Sequence, residues 1–326
     1  MDTRKWVFLG TGGTIAGSSA AVADNVGYRA AQVGIEALLD TALPASASRT
    51  LRWMCEQVAQ VDSKDMDFSV WSALAQRCQH HLNDPQVGGL VITHGTDTLE
   101  ETAWFLHRVL DTRKPVVLTC AMRPASSAAP DGPQNLRDAV AVATAPGACG
   151  VLVVAAGEIH SARRVQKVHP YRTNAFGSGD SGPLGWVEEG AVRLVQNWSA
   201  EQTQIALLAM KNIVNGVPWP RVEVVMNYTG AQGSTVRALV RDGVQGLVVA
   251  ATGNGTLHHA LEAALERAQE VGVVVRVASR CPLGQVVPAS GEAAALQTLV
   301  RVGGLSAVKV RVDVLLELLE DATLPP

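Results

Sequence analysis

The sequence predicts an α/β protein, with a larger N-terminal domain built on a mostly parallel sheet with flanking helices, and a smaller C-terminal α/β domain. At 326 residues the chain is longer than a typical single domain. Short, continuously apolar segments alternate with amphipathic helical segments, which is the pattern of a parallel sheet covered by helices on both faces. Glycine-rich or polar loops follow the apolar segments, as expected at the ends of such strands.

The first part of the chain contains the more regular alternation. Apolar segments predict strands at residues 6–9, 51–61, 90–93, 115–119 and 151–155. Apolar residues at helical spacing predict helices at residues 67–81, 99–110 and 134–144. In open parallel sheets, ligands bind outside the carboxyl ends of the strands, near a point where the strand order reverses. The polar loops are therefore predicted to converge in one crevice, although they are far apart in sequence.

The alternation is interrupted before the second part of the chain. We predict an N-terminal domain at residues 1–190, a connector at residues 191–220 and a C-terminal domain at residues 221–326. The connector ends in Pro218-Trp219-Pro220. For the C-terminal domain, strands are predicted at residues 222–226, 247–250 and 271–277, and helices at residues 257–268 and 308–319.

Composition argues against several classes of protein. Charged residues make up 17% of the chain, aromatic residues 4%, and the net charge is −3 without a basic block, so no nucleic-acid partner is expected. The cysteines are scattered without a CxxC pair, which predicts reduced thiols. Residues 1–5 are followed by a short apolar segment that ends at Gly10 and is too short for a signal peptide. Because there is also no apolar run of about 18 residues, we expect a cytoplasmic protein without a membrane span.

The first chemical motif is the loop Gly10-Thr11-Gly12-Gly13-Thr14 after the first predicted strand. A dinucleotide-binding fingerprint would need its third glycine at position 15, which is Ile15. A phosphate-binding Walker loop would need a Gly-Lys-Ser/Thr sequence, which the loop lacks. Two threonines in such a loop are consistent with a hydroxyl nucleophile, and this motif alone is equally consistent with a tight strand-to-helix turn.

The second motif is the string Thr93–Ala103, which contains His-Gly-Thr-Asp-Thr followed by two glutamates. Asp97 or Thr98 could simply cap the following helix, with the glutamates favoured by the helix dipole. That interpretation leaves the rest of the string unexplained. A carboxylate beside a threonine hydroxyl at a helix N-terminus could instead bind a substrate ammonium group.

Further segments have weaker signals. Residues 121–127 are followed by residues 131–136, in which Pro133 lies at a helix start. This position of the proline indicates a scaffold. Lys167 lies in a basic cluster, where a lysine is usually solvated, but a buried lysine near a threonine could activate its hydroxyl. The histidines do not have metal-binding spacing and no Gly-x-Ser-x-Gly motif occurs, so neither a metal site nor a serine hydrolase is predicted.

Together, residues 11–17, 94–103, 122–124 and 131–136 resemble the bacterial L-asparaginase family. Further similarity at residues 182–185 and 253–255 extends the resemblance over nearly the whole chain. It implies an enzyme without cofactor or metal that acts on a small-molecule substrate. It also implies a homotetramer or homodimer in which the C-terminal domain of a second subunit completes each site.

The resemblance also implies catalytic roles. Thr14 would be the nucleophile, with Tyr28 in the following loop as its partner, and Thr96 and Lys167 would form a second hydroxyl–amine pair. Thr14 would attack the amide carbon of L-asparagine, ammonia would leave, and water would release L-aspartate. A threonine hydroxyl needs a base, for which Lys167 acting through Thr96, or a water near Tyr28, are the candidates. Backbone N–H groups of the loops would stabilise the oxyanion.

The implied substrate-binding residues include departures from the family pattern. Asp97 would bind the α-ammonium group and Ser63 the α-carboxylate of the substrate. The next residue is Lys64, where the family usually has glutamine, and a cation there could pair with the α-carboxylate. Thr256 corresponds to the asparagine that the neighbouring subunit supplies, and Glu292 lies about one position from the expected acidic partner of the tyrosine.

Alternative functions remain open on the sequence. The same fold could act on glutamine or serve as a related amidase, although no additional domain or basic patch supports an amidotransferase acting on glutamyl-tRNA. A non-catalytic amino-acid sensor is a third interpretation. A sensor would need only Asp97 and Ser63, so the retention of Thr14, Thr96 and Lys167 favours an enzyme.

Overall fold

The computed structural model describes residues 4–43, 52–111, 113–198, 206–290 and 298–322. The chain divides into two compact units, residues 1–205 and 206–326. Among the described residues, no helix is both long enough and apolar enough to span a membrane.

The larger unit alternates strands and helices in its first part and contains short strands in its second part. Its strands are β1 (Lys5–Gly12), β2 (Arg52–Val61), β3 (Val87–Thr93), β4 (Pro115–Thr119), β5 (Gly150–Ala155), β6 (Glu158–Ser161), β7 (Gln166–Lys167), β8 (Phe176–Gly177), β9 (Gly185–Glu188) and β10 (Ala191–Leu194). Its helices are α1 (Ile35–Ala42), α2 (Phe68–Leu82), α3 (Leu99–Val109) and α4 (Gly132–Thr144). Short 3-10 helices lie at Thr14–Ala16, Ser63–Asp65 and Gly179–Ser181.

The main sheet combines a parallel part with an antiparallel part. Its strand order is β10-β9-β6-β5-β4-β3-β1-β2, and the pairs among β2, β1, β3, β4 and β5 are parallel. The chain moves from β1 to one side to form β2 and then crosses to the other side of β1 to form β3. The strand order therefore reverses at β1, and the carboxyl ends of β1 and β3 flank the reversal, which is where such sheets bind ligands.

Apolar residues on both faces explain why these strands are interior. Every described position of β3 and β4 is buried, as expected for strands covered on both sides. Successive side chains of a strand point to opposite faces, so Trp6 and Phe8 join the cluster that includes residues of α1 and α4. Helices α2 and α3 contact each other and the strands β2, β3 and β5.

The smaller unit is a second, separate parallel α/β unit. Its strands are β11 (Val222–Met226), β12 (Gly246–Ala251), β13 (Val274–Ser279) and β14 (Val300–Arg301), in that order in one parallel sheet. Its helices are α5 (Leu207–Val214), α6 (Ser234–Arg241), α7 (His259–Glu270) and α8 (Ala307–Asp321). Residues of α6 and α7 pack in one apolar cluster with the sheet, while α8 contacts β11, β12, β13 and α5.

The predicted fold class is confirmed, with differences in detail. Strands β6 to β10 were not predicted, because they are too short to produce a clear apolar segment. The turn between β9 and β10 has positive φ at Glu189 (50°) and Gly190 (75°), as in a tight hairpin. The segment predicted as a connector, residues 191–220, contributes β10 to the larger unit and α5 to the smaller one.

The starts of two predicted strands are the remaining differences. The predicted strand at 271–277 begins at Val274 instead, because Gly272 adopts φ 90° in the turn that ends α7. The first residue of the predicted strand 51–61, Leu51, lies outside the described residues.

Candidate active site

Three loops that follow parallel strands form the candidate site. Thr14 begins the 3-10 helix after β1, Ser63 begins the 3-10 helix after β2, and Thr96 lies in the loop between β3 and α3. These strands are neighbours in the order β3-β1-β2. The topology therefore brings the three side chains to one edge of the sheet, beside the reversal of strand order.

Glycines allow the backbones of these loops to touch. Gly13 has φ 81°, and a Cβ there would collide with the backbone of Gly95. A Cβ at Gly95 would in turn collide with the side chain of Ser63. The glycines thus permit an approach that other residues would block, and the three loops form one continuous surface.

The Thr14 hydroxyl is paired with a phenol. Thr14 Oγ1 and Tyr28 Oη are 2.6 Å apart, and Thr14 is only 6% exposed. The segment that carries Tyr28 is held by backbone hydrogen bonds in both directions between Ser18 and Arg29, each 2.8 Å long. The Tyr28 ring lies against Gly17, where a Cβ would collide with it.

The environment of Tyr28 favours the neutral phenol. Burial raises the pKa of Tyr28, and the hydrogen bond from Thr14 opposes that shift. The negative charges of Asp62 and Asp97 add a smaller upward shift of this pKa. Tyr28 is therefore a phenol at neutral pH, able both to donate and to accept a hydrogen bond.

Thr11, the other threonine of the first loop, has a structural role. Its Oγ1 donates to the carbonyl of Thr93, the last residue of β3, over 2.9 Å. This buried bond ties the end of β1 to the end of β3.

The Thr96 hydroxyl is paired with charged groups. Lys167 Nζ donates to Thr96 Oγ1 over 2.8 Å and to Asp97 Oδ1 over 2.6 Å. The Lys167 side chain is 18% exposed and that of Asp97 is 51% exposed. One oxygen of a half-exposed carboxylate is thus engaged by the lysine, and the carboxylate retains capacity to accept further hydrogen bonds.

Ser63 joins the second loop to the third. Its Oγ accepts from the main-chain N–H of Asp97 over 3.1 Å, and its carbonyl accepts from Thr98 Oγ1 over 2.8 Å. Thr98 occupies the position before α3, yet its side chain makes no capping bond to that helix. The capping interpretation of Thr98 is therefore wrong, because its hydroxyl is used to fix the adjoining loop.

His94 is the first residue of the third loop and contacts its main chain. It is fully buried, its Nδ1 lies 2.7 Å from the Gly95 carbonyl, and its Nε2 has no hydrogen-bond partner among the described residues. Burial lowers the pKa of His94 to about 4, against a smaller opposing effect of the Gly95 carbonyl. The ring is therefore neutral, with its proton on Nδ1, where it can donate to that carbonyl.

Asp131 begins the segment at residues 131–136 that was interpreted as a scaffold. Its two carboxylate oxygens accept from the main-chain N–H groups of Met122 and Arg123, each over 2.9 Å. Asn135, one turn later in α4, donates to the Cys120 carbonyl over 2.9 Å. The segment thus holds the loop after β4, which agrees with the scaffold interpretation.

Comparison with known proteins decides the family. The family profile described as Asparaginase, N-terminal, matches residues 5–200, and that described as Glutaminase/Asparaginase C-terminal domain matches residues 221–323. The chain belongs to the asparaginase family. This confirms the resemblance, and with it the prediction of an asparaginase-type enzyme.

Individual relatives of this family cover most of the chain. A protein named glutaminase-asparaginase from Pseudomonas fluorescens biotype A is 37% identical over 291 residues, which cover 88% of this chain and 78% of that protein. L-asparaginase 2 from Escherichia coli K12 is 34% identical over 306 residues, 93% of this chain and 86% of that protein. The crystal structure of a probable cytoplasmic L-asparaginase from Campylobacter jejuni is 33% identical and has a TM-score of 0.86, covering 97% of this chain and 95% of that one.

Lys64, the departure from the asparaginase pattern, is bound by its own neighbours. Its Nζ lies 2.5 Å from Asp65 Oδ2 and 3.3 Å from Asp62 Oδ2, and its side chain is 60% exposed. These acids raise the pKa of Lys64, with the Asp65 hydrogen bond as the largest cause. A substrate carboxylate that approached this cation would have to compete with both aspartates.

The predicted contribution of the C-terminal domain lies in the smaller unit. Thr256 is exposed, and its Oγ1 donates to the Thr252 carbonyl over 3.0 Å in a small loop closed by a bridge between these two residues. Glu292, the candidate acidic partner of the tyrosine, lies outside the described residues. Among the residues that are described, no group of three or more His, Cys, Asp and Glu side chains is arranged to hold a metal ion.

One contact of this candidate site was not predicted from the sequence. Glu100 was interpreted only as an acid favoured by the dipole of α3, but its Oε2 accepts from the main-chain N–H of Lys167 over 2.7 Å. Its position in the same motif as Thr96 and Asp97 was the available signal. The partner, 67 residues away, could not be identified without the fold.

Proposed function

We propose that this chain hydrolyses the side-chain amide of L-asparagine to L-aspartate and ammonia, with Thr14 as the nucleophile. The observation that carries the proposal is the Thr14–Tyr28 pair. Its loop contacts the loop of Thr96 and Asp97, because the backbones at Gly13 and Gly95 lie against each other. Lys167 is bound to Thr96 and Asp97. A hydroxyl nucleophile and a group that relays its proton are the parts that covalent amide hydrolysis needs, and the Lys167–Asp97 pair adds charged groups that can bind an amino acid.

Substrate orientation is assigned to the second and third loops. The Asp97 carboxylate is half exposed, so it can accept from an α-ammonium group while Lys167 holds its other oxygen. Ser63 lies beside it and is proposed to hold the α-carboxylate. This arrangement would present the side-chain amide to the first loop and would favour the α-amino acid over a simple amide.

The first chemical step is assigned to Thr14. Its oxygen forms a bond to the amide carbon while its proton passes through Tyr28 to the amide nitrogen, and the C–N bond breaks to release ammonia. Because Tyr28 is a phenol at neutral pH, it can accept the Thr14 proton only as it passes its own proton on. It therefore acts as a relay rather than as a standing base.

The second step regenerates the threonine. A water molecule near Thr96 attacks the acyl carbon, and the ester bond between that carbon and Thr14 Oγ1 breaks. The water oxygen stays with the aspartate, one of its protons returns to Thr14, and the other is released to solvent as the new carboxyl group ionises. The Lys167–Thr96 pair is assigned to orient this water, because Thr96 Oγ1 accepts from Lys167 Nζ and is left free to donate its own proton. Backbone N–H groups of the loops would stabilise the oxyanion in both steps.

Glutaminase activity is the second candidate function. Relatives from Pseudomonas fluorescens and Acinetobacter glutaminasificans are named glutaminase-asparaginase, and Lys64 departs from the usual glutamine. The two substrates differ by one methylene, which in an enzyme pocket corresponds to about 10-fold to 200-fold in kcat/KM. We expect asparagine to be preferred by an amount in that range.

The test is a side-by-side assay of ammonia release from L-asparagine and L-glutamine by the wild type and by Thr14→Ala. We expect release from asparagine by the wild type and loss of release in Thr14→Ala. Unchanged turnover in that variant would overturn the assignment of the nucleophile. Binding of aspartate by calorimetry in a wild type without any turnover would instead favour the amino-acid sensor.

We further propose a homodimer or homotetramer located in the cytoplasm. The assembly follows from the family role assigned to Thr256, which requires a neighbouring subunit at each site. For the location, the similar Campylobacter jejuni protein is described as probable cytoplasmic, whereas a relative from Haemophilus influenzae is named periplasmic. Mass measurement in solution and fractionation of cells that produce the full-length chain test these two proposals.

A further inference from the structure

Lys167 lies on a strand that is not part of the main sheet. It ends β7, a strand of two residues that, among the described strands, pairs with β8 alone in a separate two-stranded sheet. Val168, the next residue, donates its main-chain N–H to the Ala175 carbonyl of the same ribbon over 2.7 Å. The ribbon pairs with itself, so these bonds do not position Lys167 relative to the loops of the site.

A hydrogen bond to Glu100 positions the main chain of Lys167 relative to these loops. Glu100 Oε2 accepts from the main-chain N–H of Lys167 over 2.7 Å, a bond strengthened by the charge of the carboxylate. Glu100 is the second residue of α3, whose buried residues anchor the helix in the core. The main chain of Lys167 is therefore tied to a rigid element of the larger unit.

The same segment of chain also binds the other end of the lysine. Thr96 and Asp97, which accept from Lys167 Nζ, lie four and three residues before Glu100, respectively. A lysine side chain has a flexible four-carbon stem, so binding at one end alone leaves several rotamers open. Binding at both ends to one loop–helix segment selects the rotamers that place Nζ between the hydroxyl and the carboxylate.

We propose that Glu100 is a positioning residue, which sets the location of the Lys167 amine by binding the main chain of that residue. The inference rests on the proposed function, in which the Lys167–Thr96 pair takes part in turnover. Loss of the Glu100 carboxylate removes the bond between α3 and the main chain of Lys167, so that Nζ can move away from Thr96. A displacement of about 1 Å at such a group can reduce turnover by about 100-fold.

The first experiment compares three variants of the full-length chain. Glu100→Ala is expected to lower kcat by about 10-fold to 100-fold while KM changes by less than about threefold, because ground-state binding by Asp97 and Ser63 is retained. Glu100→Gln keeps an oxygen acceptor and is expected to recover most of the loss. Glu101→Gln, the matched control, removes the same charge from the same helical turn and is expected to change kcat much less.

The second experiment separates positioning from a general loss of structure. In a Lys167→Met background, Glu100→Ala should cause no further loss of kcat, because a residue that acts through Lys167 has nothing left to position. Equal and additive losses in the two backgrounds would overturn the proposal. Equal losses in Glu100→Ala and Glu101→Gln would also overturn it.

The third experiment does not depend on turnover. The chain has six lysines, so the side-chain resonances of ¹³C-labelled lysine can be assigned to Lys167 by comparison with Lys167→Met. A shift of the Lys167 resonance in Glu100→Ala, but not in Glu101→Gln, is expected. An unchanged resonance overturns the inference about Glu100, whereas an inactive wild type with a shifted resonance overturns the proposed function alone.

Discussion

Two threonines at equivalent places in the fold have different surroundings. Thr14 follows β1 and Thr96 follows β3, and both are nearly buried, at 6% and 5% exposure. The partner of Thr14 is the uncharged phenol of Tyr28, 14 residues later in the chain. The partner of Thr96 is Lys167, 71 residues away and paired with Asp97.

The difference in surroundings explains the difference in proposed roles. Thr96 Oγ1 accepts from a lysine, so one of its lone pairs is engaged by a cationic group, which makes the oxygen a weaker nucleophile. Thr14 Oγ1 lies within hydrogen-bond distance of a phenol that can relay its proton, which leaves the oxygen able to attack. Identical side chains at the ends of neighbouring strands therefore acquire different chemistry from the group that tertiary structure brings to each.

Removing each hydroxyl separately is the most direct test of the different roles proposed for Thr14 and Thr96. We expect Thr14→Val to lower kcat by at least about 1000-fold, as for loss of a nucleophile, and Thr96→Val to lower it by about 100-fold, as for loss of a proton-transfer or water-orienting group. Ammonia release measures both, with the thermal unfolding midpoint as the control for folding. A larger loss in Thr96→Val would transfer the nucleophile assignment to Thr96.

The second prediction concerns His94, which begins the third loop, the one that contains Thr96, and has no counterpart in the first. Its folded pKa of about 4 lies below the ordinary value near 6.5, so the unfolded chain binds a proton that the folded chain excludes. The free energy of unfolding is therefore unaffected by His94 above about pH 6.5. It decreases as the pH falls towards 4, by roughly 3 kcal/mol in total.

Chemical unfolding of wild type and His94→Asn across this range measures the effect, because the difference in pH dependence isolates His94 from the carboxylates. In the wild type, NMR of the His94 ring provides a control that does not depend on a variant and is expected to show titration near pH 4. Titration near pH 6.5 would contradict the prediction.

The third prediction tests the first pair. Tyr28→Phe removes the 2.6 Å contact with Thr14 and is expected to lower kcat by about 10-fold to 100-fold, the usual contribution of a proton relay or less. Combined with Thr14→Val it should cause no further loss, because the two hydroxyls act as one unit. If Tyr28→Phe retained full activity, the base would have to be sought on the Thr96 side.

The smallest effect is expected at Lys64. Because Lys64 is exposed and already paired with Asp65 and Asp62, Lys64→Gln should change KM by less than about 10-fold and kcat by still less. Substrate titrations of ammonia release with both L-asparagine and L-glutamine measure this change. An unchanged KM for both substrates would place Lys64 outside the substrate-binding site.

Much of the architecture could be predicted because it depends on local patterns. Continuous apolar segments such as residues 90–93 and 115–119 are typical of strands in the interior of a parallel sheet, which are buried on both faces. Short strands such as β9 and β10 lack this pattern, since their pairing is set by a turn and by a neighbouring strand. They could not be predicted from apolar segments alone.

The candidate site likewise combines features that depend on nearby residues with contacts between distant ones. The sequence by itself determined that Thr14, Ser63 and Thr96 follow strands, because strand ends depend on nearby residues. The partnership of Tyr28 with Thr14 was implied by the family resemblance. Only the tertiary structure decided that Lys167 is bound at both ends by the loop and helix at residues 96–100. It also decided that Lys64 contacts its neighbouring acids. The physical reason is that periodicity encodes which faces are buried, whereas the order of strands in the sheet determines which distant side chains meet.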